Sequence, residues 1–266
     1  MSLADAEARA ARRRGEHRPQ PLLVSALAED RIIAGVPARV LTPPDVRGVY
    51  LHLHGGGFVF GSSRLQDDRL EALAVACRVA VVSVEYRLAP EDPYPAGPDD
   101  CEAAAAWLAE HARAELGCDR LCIGGESAGA NLAVVTLLRL RDRHGFTGFR
   151  AAGLVKGVYD LSLSHATETG DPGLSRADLE ALVGEYAGAH GRADPDLSPV
   201  NGVLDGLPPA LIAVGALDPL LDDSRELAGR WLAAGNDAEL AVFPNAGHEL
   251  EPAERLHSFV AARLDA

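Results

Sequence analysis

The segments Gly125-Glu126-Ser127-Ala128-Gly129 and His54-Gly55-Gly56-Gly57 decide how this chain is expected to fold. Each follows an apolar run typical of a β-strand. Gly-x-Ser-x-Gly between a strand and a helix predicts a sharp turn that exposes a serine nucleophile, and His-Gly-Gly-Gly predicts the loop that completes its oxyanion hole. The first pattern also occurs by chance. The prediction therefore depends on finding both segments in this order, each after a strand.

The sequence around these segments alternates between strand-like and helix-like patterns. Residues 29–41 predict two short strands joined by a turn at Gly35, and no internal repeat or linker divides the chain. Further strands are predicted over 49–54, 79–84, 121–124, 151–159, 211–214 and 240–243, and helices over 65–77, 99–115, 128–141, 224–234 and 251–264. This alternation predicts one α/β domain over residues 1–266, with a mostly parallel central sheet and helices on both faces.

Residues 161–208 interrupt this alternation. The segment is too long for a simple connection and contains a predicted helix over 175–189. Insertions of this kind lie over the site at the carboxyl ends of the strands. Residues 1 to about 18 are also predicted to be helical. We therefore expect a small, reduced helical cap formed by about residues 1–28 and 161–208.

Composition excludes several classes of partner. The formal net charge is −14, which argues against nucleic acid and anionic membrane surfaces because both require basic patches. No apolar stretch is long enough to span a bilayer, and the N-terminal residues lack the apolar core of a secretion signal. We therefore expect a cytoplasmic protein. The four cysteines form no C-x-x-C pair and are expected to be buried free thiols.

Ser127 is the candidate nucleophile. A serine hydroxyl needs an adjacent base, and that base should be a histidine after the last strand. His248 lies in the loop directly after strand 240–243, whereas His257 falls in the following helix and is expected to be a half-exposed helix residue. The alternative for Ser127 is a helix N-cap in a nucleotide-binding turn, but the chain contains neither G-x-G-x-x-G nor the P-loop lysine pattern.

Two aspartates compete for the acid position between serine and histidine. Asp218 follows strand 211–214 and Asp160 follows the preceding strand, so either one could reach the histidine. Asp222 and Asp223 are expected to cap a helix that begins near Ser224.

The motifs of the chain resemble those of the bacterial hormone-sensitive-lipase-like esterases, a branch of the α/β-hydrolase fold. The matches run in order over most of the chain: HGGGFVFG (54–61), YRLAPE (86–91), GESAGAN (125–131), DPLLD (218–222) and Gly247-His248.

The resemblance implies that Ser127 is the nucleophile, Asp218 the acid and His248 the base. It implies that the backbone N–H groups of Gly56, Gly57 and Ala128 form the oxyanion hole. It also implies that His54 orients the glycine loop without transferring a proton. His52 and His54 lack a third ligand nearby in sequence, so we expect no metal, and the family implies no cofactor.

The chain departs from the family pattern at three places. Glu126 precedes the nucleophile where aspartate is commoner, so hydrogen bonds at the turn are expected to differ. Glu249-Leu250 follows His248 where the family often has Gly-Phe, which leaves the acyl-side wall undefined. The N-terminal segment is short for the family, which is the reason to expect a reduced cap.

These features predict a serine carboxylesterase that hydrolyses a small-molecule ester through an acyl-enzyme intermediate. No large apolar lid is visible, so short-acyl esters are expected, with Phe58 and Phe60 either lining the pocket or packing under the glycine loop. Two alternatives stay open, a small-molecule amidase or deacetylase on the same triad and a non-catalytic, receptor-like ligand-binding protein of this fold. The chain is expected to be a monomer or a homodimer.

Overall fold

Over residues 22–166 and 174–265, which the computed structural model describes, eight strands form one sheet in the order β1-β2-β4-β3-β5-β6-β7-β8. The strands are β1 (Ala28–Ile33), β2 (Val36–Leu41), β3 (Gly48–Leu53), β4 (Val79–Val84), β5 (Leu121–Glu126), β6 (Phe149–Val155), β7 (Ala210–Gly215) and β8 (Ala238–Phe243). β2 pairs antiparallel with β1 and β4, and the other neighbours pair in parallel. The prediction of a mostly parallel sheet is confirmed.

Helices pack on both faces of this sheet. In β3, Val49 and Leu51 belong to one buried apolar cluster and Tyr50 to another, because successive strand residues point to opposite faces. The described helices are α1 (Asp67–Cys77), α2 (Ala96–Leu116), α3 (Ala128–His144), α4 (Arg176–Ala187), α5 (Leu221–Ala233) and α6 (Ala253–Asp265). The first cluster includes residues of α2, α3 and α5, and the second includes residues of α1 and α6.

The end of β6 differs from the sequence prediction. The strand was expected to run to residue 159, but it ends at Val155. Lys156 has φ +45°, which is left-handed backbone that cannot continue a strand. The chain therefore turns out of the sheet four residues earlier than its apolar pattern predicts.

The start of α5 corrects the expected role of Asp222 and Asp223. The helix begins at Leu221 rather than near Ser224, so both aspartates lie in its first turn and neither is the N-cap. The buried Oδ2 of Asp223 instead accepts hydrogen bonds from the backbone N–H groups of Tyr159 (2.5 Å) and Asp160 (3.2 Å). Asp223 thus ties the loop after β6 to α5.

Only part of the expected cap falls within the described residues. The predicted N-terminal helix lies outside them. The helix predicted over 175–189 corresponds to α4, whose N-terminus carries a capping box formed by Ser175 and Asp178. Tyr186 of α4 stacks on Phe58 of the glycine loop with ring centroids 3.9 Å apart. α4 therefore lies directly against the loop that was expected to complete the oxyanion hole.

All four cysteines are free thiols, and Cys118 is partly exposed rather than buried. Among the helices of the described residues, none combines the length and the apolar character needed to cross a bilayer.

Candidate active site

Ser127 stands at the sharp turn between β5 and α3. Its backbone has φ 54° and ψ −120°, a strained conformation that surrounding contacts must hold. Its N–H donates to the carbonyl of Val155 (2.9 Å). A Cβ on Gly125 or Gly129 would lie 2.2 or 1.9 Å from the carbonyl oxygen of Leu53. Only glycine fits on either side of the serine, because strand and helix approach so closely there.

Ser127, His248 and Asp218 form a hydrogen-bonded chain. The Oγ of Ser127 lies 3.1 Å from Nε2 of His248, and Nδ1 of His248 lies 2.9 Å from Oδ2 of Asp218. Asp218 is completely buried, and its other oxygen accepts from the backbone N–H of Leu220 (2.9 Å). A carboxylate only accepts, so Nδ1 donates to it and Nε2 is left to accept from the serine hydroxyl. This is the geometry that proton transfer from serine to histidine requires.

The competing residues lie elsewhere. The carboxylate of Asp160 accepts from the backbone N–H groups of Ser162 (2.8 Å) and Ser164 (3.2 Å) and so holds its own loop. His257 lies in α6, partly buried, and burial lowers the pKa of its ring. The structure thus brings Asp218 and His248 to Ser127, and Asp160 and His257 do not join them.

His54 is held under the glycine loop. Its ring is buried and stacks on Tyr86 with centroids 4.2 Å apart. Its Nδ1 donates to the carbonyl of Gly55 (2.9 Å), and the Tyr86 hydroxyl donates to the carbonyl of His54 (2.6 Å). Burial lowers the pKa of His54, which favours a neutral ring with its proton on Nδ1. Gly57, with φ +61°, takes the left-handed conformation that this turn of the loop requires.

Glu126 links the serine turn to the glycine loop. Its side chain is 12% exposed. Oε1 accepts from the N–H of Gly55 (3.0 Å) and from the Gln66 side-chain amide, and the Arg69 guanidinium lies 3.3 Å away. Oε2 accepts from Nε2 of His52 (3.0 Å). Burial alone would raise the pKa of Glu126, but His52, Arg69 and Gln66 outweigh it and hold that pKa well below its usual range.

His52 and His54 each have partners within the protein. Besides Glu126, His52 contacts the Ser83 hydroxyl through Nδ1 (2.9 Å), whereas His54 faces Gly55 and Tyr86. Across residues 22–166 and 174–265, no group of three or more His, Cys, Asp or Glu side chains could hold a metal ion.

Ser127 and His248 open into a cavity of about 350 Å³, here called the catalytic cavity. One part of its wall is apolar and comes from the glycine loop, the loop after β6 and α4, including Phe58, Phe60, Val158, Leu179, Leu182 and Val183. Another part is polar and includes Gln66, Arg69, Glu126, Lys156, Glu249 and Glu251. Phe58 and Phe60 both line the cavity, which is one of the two expectations for them, and Phe58 also stacks on Tyr186 of α4.

A second cavity of about 260 Å³ lies beside the first, between α1 and the start of α6. Its wall is mostly apolar and includes Tyr50, Leu70, Leu73, Leu250 and Leu256. Four charged residues line both cavities: Arg69, Glu126, Lys156 and Glu251. The two spaces therefore meet at a group of charged side chains.

Sequence reasoning noted Glu126 as a departure but missed its partners, and it missed Lys156 altogether. A signal for Lys156 was available. It is the one lysine in the chain, since the other 24 of the 25 Lys and Arg residues are arginine, and it interrupts an apolar run.

Comparison with known proteins agrees with this architecture. The profile of the α/β-hydrolase fold family matches residues 50–251. The carboxylesterase NlhH of Mycobacterium tuberculosis is 39% identical over 247 residues, which cover 86% of this chain and 77% of that protein. The chain belongs to the α/β-hydrolase family.

Two further α/β-hydrolase comparisons are informative. An acetyl-hydrolase of Streptomyces hygroscopicus is 36% identical over 204 residues, covering 74% of this chain and 66% of that protein. A crystal structure of an esterase from the bacterial hormone-sensitive lipase family aligns with a TM-score of 0.84 and 29% identity over 99% of each chain. The resemblance to this branch of the family, inferred from the sequence motifs, is confirmed.

Proposed function

We propose that this protein is a serine carboxylesterase that hydrolyses short-acyl esters of small molecules. The observation that carries the proposal is the hydrogen-bonded chain from Ser127 through His248 to buried Asp218, which opens into the catalytic cavity. Relatives named as a carboxylesterase and an acetyl-hydrolase support an ester as the substrate. The proposal calls for no cofactor and no metal.

In the first step Oγ of Ser127 attacks the ester carbonyl carbon while Nε2 of His248 takes the hydroxyl proton. The imidazolium that forms is stabilised by the carboxylate of Asp218, which also holds the ring in the tautomer that leaves Nε2 free. The carbonyl electron pair moves to oxygen, which becomes the tetrahedral oxyanion.

The oxyanion would be bound by the backbone N–H groups of Gly56, Gly57 and Ala128. Ala128 is the first residue of α3, where N–H groups lack partners within the helix and form the positive end of its dipole. One such donor is worth about 3 kcal/mol of transition-state stabilisation. His54 and Glu126 act as positioning residues, since each binds a backbone group of Gly55.

The intermediate then collapses to the acyl-enzyme. The bond to the alcohol oxygen breaks, and His248 gives its proton to that oxygen. A water molecule next attacks the carbonyl carbon of the acyl-enzyme and loses a proton to His248. The bond from that carbon to Oγ of Ser127 then breaks, His248 returns the proton to Oγ, and the carboxylic acid leaves.

Cavity size and charge support a short acyl chain. The catalytic cavity of about 350 Å³ is near the lower end for small-molecule sites. A longer chain that entered the second cavity would have to pass Arg69, Glu126, Lys156 and Glu251, where burying methylene groups against charges is unfavourable. We also propose that residues 1–266 form a single domain in which segment 161–208, with α4, contributes to a small cap over the cavity.

A series of p-nitrophenyl esters from acetate to palmitate tests the substrate class. We expect the highest kcat/KM between acetate and hexanoate, and a maximum at palmitate would contradict a short-acyl preference. A matched anilide included in the series should be a much poorer substrate than the ester. Preference for the anilide would indicate an amidase instead.

The variant Ser127→Ala tests the nucleophile. We expect it to fold with wild-type stability, to lose turnover and to lose covalent labelling by a fluorophosphonate. Ester hydrolysis retained at the wild-type rate would refute the assignment, and a wild-type protein that is neither labelled nor active would favour the receptor-like alternative.

The remaining expectations about the protein's surroundings stay predictions: a cytoplasmic location, no nucleic-acid or membrane partner, and a monomer or homodimer. For the last of these, β8 is an edge strand of the described sheet and exposes Leu240 and Val242. Unpaired edges of this kind can pair between copies of a chain.

A further inference from the structure

Lys156 is a buried cation in the wall of the catalytic cavity. The residue is 7% exposed and lines both cavities. In the described residues, no carboxylate oxygen lies within 4 Å of its Nζ and no side-chain hydrogen bond involves that atom. An ammonium in such a position is costly unless something pairs with it.

The position of Lys156 relative to the nucleophile is set by the backbone. Its neighbour Val155 accepts the hydrogen bond from the N–H of Ser127 (2.9 Å), and its own N–H donates to the carbonyl of Ala213 (2.6 Å). The left-handed conformation at Lys156 is uncommon for a residue with a side chain. Lys156 is therefore the first residue after β6, and the last residue of that strand, Val155, accepts the hydrogen bond from Ser127.

The charged groups nearby are already engaged with one another. Arg69 lies 3.3 Å from Glu126 and 2.5 Å from Glu251, and Glu126 also binds His52. Burial lowers the pKa of Lys156, while Glu126, Glu249 and Glu251 oppose that shift from beyond ion-pair distance. Arg69 thus has two carboxylate partners, and among the described residues no carboxylate contacts the Lys156 ammonium directly.

Lys156 is also the one lysine of the chain. The other 24 of the 25 Lys and Arg residues are arginine, at exposed and buried positions alike. The single exception is the buried cation beside Ser127. A compact ammonium on a flexible stem fits beside a small substrate where a planar guanidinium would take more room.

We propose that Lys156 binds a carboxylate of the substrate, so that the preferred esters carry a free acid close to the scissile bond, as half-esters of dicarboxylic acids do. This inference rests on the proposed esterase function. The substrate carboxylate would supply the direct partner that Lys156 does not find among the described residues, and it would form a charge-assisted hydrogen bond in a largely enclosed site. A lysine that serves only to balance Glu126 and Glu251 would show no such preference.

Two matched pairs of esters test the proposal with the wild type and with Lys156→Met. In the first pair the charge is on the acyl side: mono-4-nitrophenyl succinate and its methyl ester. In the second it is on the alcohol side: 4-acetoxybenzoate and its methyl ester. For at least one pair, we expect Lys156→Met to lower the ratio of kcat/KM for the charged to the neutral ester by about tenfold or more, mainly through KM. Lys156→Arg should restore part of that ratio.

The ratio separates recognition from damage, because any general effect of the substitution on the active site cancels within a pair. An unchanged ratio in both pairs would overturn the proposal. Should Lys156→Met fail to fold, the wild type still decides: a clear preference for the neutral member of both pairs would overturn the proposal. Two other outcomes would instead refute the proposed esterase function. Either the wild type does not hydrolyse the neutral esters, or Ser127→Ala still hydrolyses them.

The single lysine also allows a readout that needs no turnover. Protein grown with ¹³C-lysine gives one lysine Cε signal, which belongs to Lys156. Titrating Ser127→Ala with monomethyl succinate should shift that signal saturably, whereas dimethyl succinate should leave it in place. Equal shifts with both compounds, or none with either, would count against carboxylate binding.

Discussion

Replacing Glu126 with alanine is predicted to lower both the stability of the fold and kcat. The carboxylate accepts two hydrogen bonds of ordinary length, from the N–H of Gly55 and from Nε2 of His52, both at 3.0 Å. Each bond to a charged acceptor contributes about 1.5–3 kcal/mol, so removing both costs roughly 3–6 kcal/mol before relaxation. Both cavities border Glu126, and water entering them would reduce the net loss to about 2–4 kcal/mol.

The catalytic consequence follows from the position of Gly55. It directly precedes Gly56 and Gly57, whose N–H groups are proposed to bind the oxyanion. Without the hydrogen bond from Gly55 N–H to Glu126, the loop is held less firmly. The N–H groups of Gly56 and Gly57 should then shift from their positions for binding the oxyanion. We expect kcat to fall by about tenfold to a hundredfold, which corresponds to about 1.4–2.7 kcal/mol, with a much smaller change in KM.

Urea unfolding and steady-state kinetics with p-nitrophenyl acetate measure the two effects. Glu126→Gln is the matched control, because its amide oxygen can still accept from Gly55 while His52 changes tautomer to accept from the amide nitrogen. This variant should recover most of kcat. A Glu126→Ala protein with wild-type kcat would refute the reasoning, since the glycine loop would then not depend on the carboxylate.

Three further substitutions test other parts of the structure. Asp218→Asn should lower kcat by about four orders of magnitude, whereas Asp160→Asn should leave it close to wild type in the same ester assay; equal losses would contradict the assignment of the acid. Burial raises the pKa of Asp223 to about 7, whereas its pKa in the unfolded chain is near 3.9. Between these two pH values Asp223 is protonated in the folded state and ionised in the unfolded state. Its contribution to stability is therefore present below about pH 4 and lost by roughly 1 kcal/mol per pH unit up to about pH 7. Asp223→Asn should remove that component from the pH dependence of the urea midpoint, and identical slopes would argue against it. Gly129→Ala places a methyl group 1.9 Å from the carbonyl oxygen of Leu53 and should destabilise the fold by about 3 kcal/mol; an unchanged thermal midpoint would show that the serine turn is less crowded than the structure indicates.

The choice between Asp160 and Asp218 shows where sequence reasoning stops. Both aspartates follow strands, so the sequence left them equivalent until the family resemblance was considered. In the sheet β7 is next to β8, whereas β6 is one strand further away. Asp218 and His248 thus leave neighbouring strands and meet at 2.9 Å, while the Asp160 carboxylate binds its own loop. The order of strands in the sheet separates the two.

Glu126 and Lys156 were harder to predict for a different reason. The donors to Glu126 come from His52, Gly55, Gln66 and Arg69, which lie 57 to 74 residues away in the chain. Nothing in the local pattern around Glu126 indicates these partners. Lys156 stands out in the sequence, but no local pattern indicates that it is buried in the wall of the cavity that Ser127 also lines.

The sequence by itself determined the order and type of the strands and helices, though not every boundary, together with the serine turn and the glycine loop. These depend on side-chain periodicity and on glycines within a few residues, which are local properties of the chain. Only the tertiary structure decided which distant groups share a cavity: Asp218 rather than Asp160, a carboxylate that joins the two decisive segments, and a lone lysine between two cavities. Those outcomes depend on strand order and side-chain packing, because they bring together residues that the chain keeps far apart.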